Sequence, residues 1–140
     1  MANPLTLYVP IKQTKEIQEL AQSSYDGFAV RHRKDLDKFK DVHYARFVLI
    51  PNHGKPGIFA ICVITTFDGP MNPYLRFFWD DMRDMFKGVT EMALDPPPPL
   101  NDFTAFANFI NANNLSKPVD LYHAYDQSVR EIWAKFPPPV

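Results

Sequence analysis

The sequence predicts an α+β domain in which a four-stranded antiparallel sheet carries helices on one face. Three observations carry that prediction. Segments of period-two hydrophobicity alternate with segments of helical period along the chain, and a dense run of turn formers joins two β-rich segments into a hairpin. The third is composition: 46% hydrophobic and 22% charged residues in 140 suit a chain that closes one sizeable core without disulfides or metals. A single domain over residues 1–140 follows.

Leu5, Leu7, Val9 and Ile11 alternate with Thr6, Tyr8 and Pro10, the pattern of a half-buried strand. From Thr14 to about Phe39, Ile17, Leu20, Ala21, Phe28, Leu36 and Phe39 recur at helical spacings in a charged surround. This predicts a long amphipathic helix, with Gly27 as the place where it would break. Val42–Ile50 and Ile58–Phe67 are rich in β-branched and aromatic residues, and Pro51–Gly57 between them supplies the turn. A register with Ile50 opposite Ile58 sets Phe47 against Ile61, Leu49 against Phe59 and Ala45 against Val63, giving one apolar face. The same register sets Arg46 against Cys62 and Tyr44 against Ile64 on the other.

After Asp68 and Gly69, Asn72 is the expected N-cap and Pro73 the first residue of a second long helix bearing Leu75, Phe78, Met82, Met85, Phe86 and Val89. Pro96–Pro99 cannot continue a helix and reads as a stiff extended connector. Phe103, Phe106, Phe109 and Ile110 predict a short helix near residues 103–113, and Val119–Tyr125 a last strand. Ser128 caps a terminal helix over 128–136, anchored by Ile132 and Trp133. The main elements follow the order βαββαβ, which is the ferredoxin-like, split-βαβ pattern.

Several function classes lose support at this level. Fifteen Lys and Arg against sixteen Asp and Glu leave a formal charge of −1, so no long-range field draws nucleic acid. No stretch approaches the roughly 18 apolar residues that span a bilayer, and the opening Met1–Leu5 lacks the marks of a secretory signal, which predicts a cytoplasmic location. Cys62, the single cysteine, sits in an apolar run and is expected to be buried and inert. His32, His43, His53 and His123 show no metal-ligand spacing, and no Walker loop, nucleophile elbow or dinucleotide fingerprint occurs.

The informative surface is the sheet face away from the helices. It is expected to hold Thr6, Tyr8, Tyr44, Arg46, Val48, Cys62, Ile64 and Thr66, with Asp120, Tyr122 and Ala124 from the last strand. Such a face is too apolar for open water, so a second copy of the chain or a small ligand should cover it. Arg46 could hold a carboxylate of a ligand or partner, or pair structurally with Asp68 or Asp120. Tyr8, Tyr44, Arg46, Tyr122 and His123 are the expected ligand-binding residues. His43 and His123 are the candidates for a general base or an axial haem ligand, should a cavity open beside them.

The segments Val42–Ile50, Val63–Gly69 and Asn72–Leu75 resemble a pattern in the dimeric α+β barrel superfamily. They are similar to the H-x-A-R-x-V strand and F-D-G-x-x-x-x-Y-L junction of small stand-alone domains distantly related to dye-decolorising peroxidases. The resemblance implies a ferredoxin-like fold, a face-to-face homodimer and, in some members, a haem held at the dimer pocket. Thr65 stands where the peroxidase motif G-x-x-D-G has its first glycine. The leading expectation is a dimeric binding domain without an assigned reaction, and the alternative is a haem-dependent peroxidase or monooxygenase.

Overall fold

The computed structural model describes residues 2–138. Its sheet has three antiparallel strands, β1 (Ala2–Pro10), β2 (Val42–Pro51) and β3 (Ile58–Asp68), in the order β1-β3-β2. The helices are α1 (Lys15–Phe39), α2 (Met71–Asp81), α3 (Arg83–Met92), α4 (Phe103–Asn113) and α5 (Val129–Lys135). The α+β class is as expected; among the described residues the expected fourth strand is not formed.

Leu5, Leu7 and Val9 of β1, Phe47 of β2, and Ile61, Val63 and Phe67 of β3 share one buried cluster with side chains from α1 to α4. That cluster fixes which face the helices cover. The hairpin register differs from expectation by two residues: Phe47 pairs with Val63, Leu49 with Ile61 and Arg46 with Ile64. A shift of two preserves the side of every residue, so the face assignments stand. The slip originates at the turn, where Asn52 N–H donates to the Gly57 carbonyl and an irregularity between Ile50 and Pro51 leaves Pro51 paired with Ile58 and Ile50 with Ala60. Gly57, at φ 105°, takes a backbone conformation that other residues rarely adopt.

Thr14 caps α1 through Ile17 N–H, and the helix runs unbroken through Gly27 to a left-handed Lys40. Its interior tolerates one glycine because Ala21 and Phe28 on either side are anchored in the core. The expected second long helix begins two residues earlier than read, with Pro70 rather than Asn72 at the cap position, and is interrupted at Met82. The interruption leaves Met82, Phe86 and Val89 all buried. Nothing in the local sequence marks the break. Asp102 caps α4 by accepting from Ala105 N–H at 2.8 Å.

The expected strand Val119–Tyr125 is instead a short 3-10 turn, Pro118–Asp120, followed by irregular chain. Two physical reasons account for it. Asp120 accepts from Lys117 N–H at 3.0 Å and closes the turn locally. The outer edge of β1 is also taken earlier in the chain: Leu115 N–H donates to the Thr6 carbonyl, Thr6 N–H donates to Asn114 Oδ1, and Asn114 bridges Leu7. Val119, Tyr122 and Tyr125 stay exposed. At the end of the chain Ser128 and Glu131 form the expected capping box for α5, but Val129 is its buried anchor, with Ile132 and Trp133 only half-buried.

Behind β3, Tyr74 is fully buried, stacks on Phe67 at 3.8 Å, and donates its hydroxyl to Thr65 Oγ1 at 2.6 Å. Burial pushes its phenol far above the ordinary value, against the opposing effect of the Thr65 hydrogen bond, so it stays neutral. Tyr74→Phe is expected to cost about 1–2 kcal/mol in urea unfolding, because it strands a buried hydroxyl. Adding Thr65→Val should recover part of that loss. If the double variant is no more stable than the single one, the hydroxyl pair is not the source of the cost.

Candidate functional site

On the open face, β1 and β3 pair Thr6 with Ile64 and Tyr8 with Cys62, while β2 and β3 pair Arg46 with Ile64 and Val48 with Cys62. Two rows therefore cross the sheet: Thr6, Ile64, Arg46, and Tyr8, Cys62, Val48. Cys62 is buried between its neighbours, and burial raises its thiol pKa, which leaves it a poor nucleophile at neutral pH. Tyr8, Val48 and Ile64 are half-buried, and Arg46 is exposed. The rows form a shallow apolar strip with a cation at its β2 edge.

Arg46 makes no hydrogen bond or ion pair among the described residues, so the expected pairing with Asp68 or Asp120 does not occur. Asp120 is committed to the 3-10 turn. Asp68 Oδ1 lies 2.8 Å from His43 Nε2, and its Oδ2 accepts from Val129 N–H at 2.7 Å. Both members of the His43–Asp68 pair are largely covered, with side chains 14% and 10% exposed. His43 falls at an irregularity in β2, between Val42 paired with Phe67 and Tyr44 paired with Thr66, which frees it from the ladder's alternation.

Leu121–Tyr125 lie over the lower end of the open face. Between that segment, Tyr44, Thr66 and Ile132 is a cleft of about 280 Å³. Three of the five expected ligand-binding residues, Tyr44, Tyr122 and His123, meet there with His43. Arg46 lies next along β2 on the same face, where it also lines an open groove against Tyr25 and Ala29 of α1. Tyr8 sits two rows from the cleft, beside Cys62. His123 Nδ1 is 3.0 Å from the Tyr125 carbonyl, an interaction local to its own loop.

Of the two histidines at the cleft, His123 engages only its Nδ1 and His43 is committed to Asp68. The cleft, at about 280 Å³, falls just short of the roughly 300–1,000 Å³ usual for sites that take drug-sized ligands. His43 offers no free Nε2, because that nitrogen faces Asp68 at 2.8 Å.

Two features escaped the reading of sequence alone. The role of Asp68 was hidden because its partners, His43 and Val129, are 25 and 61 residues away. A second and larger cavity lies among α2, α3, α4 and the proline run. Its signal was present as Trp79, Arg83 and Lys87 at spacings of four, a stripe beside the apolar Phe78, Met82 and Phe86. Among the described residues no group of three or more His, Cys, Asp and Glu could hold a metal, and no helix is long and apolar enough to cross a membrane. Searches of protein-family models, curated proteins and solved structures return no significant match to this chain.

Proposed function

We propose that this chain is a binding domain of the dimeric α+β barrel kind, which associates with a second copy through its open sheet face. The ferredoxin-like arrangement keeps its first three strands, with the fourth reduced to the bridge at Asn114. Support comes from β1 and β2 flanking β3 in an antiparallel sheet, and from the docking of Asn114 and Leu115 on the outer edge of β1. The single observation that carries the proposal is the strip of Tyr8, Cys62, Val48 and Ile64, which α1 to α4 leave on the far side of the sheet. An apolar strip rimmed by an unpaired Arg46 has the make-up of an interface centre, where aromatic residues and arginine are enriched.

The cleft at Tyr44, Tyr122 and His123 adds a small-ligand reading at the edge of that interface. It rests on three ring-bearing side chains meeting around one volume.

Light scattering across a concentration series tests the proposal. Wild type is expected to be a dimer. Val48→Glu should be a folded monomer whose urea midpoint no longer rises with protein concentration as that of a dimer does, because Val48 is only half-buried in the single chain. Arg46→Ala should weaken association more than it weakens the fold. A wild type that stays monomeric throughout, or a Val48→Glu variant that still dimerises, would overturn the reading.

A further inference from the structure

The cavity among α2, α3, α4 and the proline run has a volume of about 390 Å³, within the range of small-ligand sites. Its walls are apolar. Trp79, Phe86 and Phe106 form one side, and the Pro96–Pro99 run lines another. Phe106 packs against Trp79 at 5.5 Å and against Phe86 at 5.2 Å, so the aromatic side is held by three helices. A proline run costs little entropy to hold in one conformation, which leaves the cavity largely preformed.

Its charge is one-sided. Lys12, Arg83 and Lys87 line the cavity against a single carboxylate, Glu91, although the whole chain carries a formal charge of −1. None of the three cations has a carboxylate within salt-bridge distance among the described residues. Lys12 Nζ reaches only the Glu91 carbonyl oxygen, at 3.3 Å. The Arg83 guanidinium lies 3.9 Å over the Trp79 ring, and its Nε donates to the Trp79 carbonyl at 3.2 Å. Those contacts hold the guanidinium at the rim and leave donors of its fork unused.

We infer that this cavity binds a small organic carboxylate with an aromatic or branched apolar body. The body would lie between Trp79 and the proline run, and the carboxylate would accept from Arg83 and Lys87. A neutral apolar ligand would gain nothing from the exposed Arg83 and Lys87, and a polyanion such as a nucleotide triphosphate would set its charge against apolar walls. The inference is independent of the open sheet face, since no residue is shared between the two sites.

Naphthoate and its neutral analogue naphthamide are suitable probes, read by the indole N–H resonance of Trp79 with that of Trp133 as internal control. Naphthoate should shift the Trp79 resonance saturably, leave Trp133 unmoved, and bind more tightly than naphthamide. The exposed double variant Arg83→Gln, Lys87→Gln should weaken naphthoate by about tenfold or more while naphthamide is unaffected. Equal affinity for both probes, an unchanged affinity in the double variant, or no Trp79 shift at millimolar naphthoate would each overturn the assignment.

Discussion

Phe78→Ala is expected to lower unfolding stability by about 3–5 kcal/mol, a large fraction of the 5–15 kcal/mol that a domain of this size has in total. Phe78 is 1% exposed and stands in the middle of an aromatic chain that joins the sheet to the helices. Phe67 of β3 stacks on Tyr74 at 3.8 Å, Tyr74 meets Phe78 edge-on at 4.6 Å, and Phe78 meets Phe86 at 5.0 Å. Phe86 then meets Phe106 of α4 at 5.2 Å. Removing the central ring deletes buried area and opens a void between α2 and α3, which the break at Met82 cannot close by sliding, since Met82 and Phe86 are themselves fixed in the core. Urea unfolding should show a lower midpoint at an unchanged slope. Phe78→Leu, which keeps most of the volume, should lose less than half as much. A loss below about 1.5 kcal/mol for the alanine variant would mean that the neighbouring rings collapse into the space.

Much of this core was legible in the sequence because it depends on local period. The alternation of Leu5, Leu7 and Val9, and the helical spacing of Leu75, Phe78 and Met82, name the buried residues directly. The side of the sheet on which Arg46, Val48 and Tyr44 lie was legible for the same reason, and survived a two-residue error in register. What failed depended on competition between distant segments. Val119–Tyr125 alternates well enough to be a strand, but the edge it would have joined is satisfied by Asn114 and Leu115. Period cannot reveal which of two segments reaches an edge first. The partners of Asp68 were equally hidden, since a carboxylate before a glycine reads as turn chemistry whatever it touches.

Asp68→Ala is expected to release the C-terminal segment without unfolding the sheet. Asp68 ends β3 and holds three attachments at once: its N–H donates to the Asp41 carbonyl at 2.7 Å, Oδ1 pairs with His43, and Oδ2 accepts the first helical N–H of α5 at Val129. A carboxylate at a helix N-terminus also meets the positive end of the helix dipole. The alanine variant strands Val129 N–H, so the local loss is about 1.5–3 kcal/mol for a charge-assisted bond between covered groups. What remains to hold α5 is its capping box, the burial of Val129, and the Arg130 side chain on Asp41 at 3.0 Å. Amide exchange should therefore accelerate across 129–135, while β1 and β3 keep their protection. Asp68→Asn keeps an acceptor but not the charge and should fall between wild type and alanine; His43→Ala should do less, because it leaves the bond to Val129 intact. With Leu121–Tyr125 loosened, the cleft around Tyr44 opens and the strip of Val48 and Ile64 is untouched. Association through the strip should then persist in Asp68→Ala even as α5 exchanges freely. Loss of protection spread evenly over strands and α5 would show instead that Asp68 supports the whole fold and not this attachment.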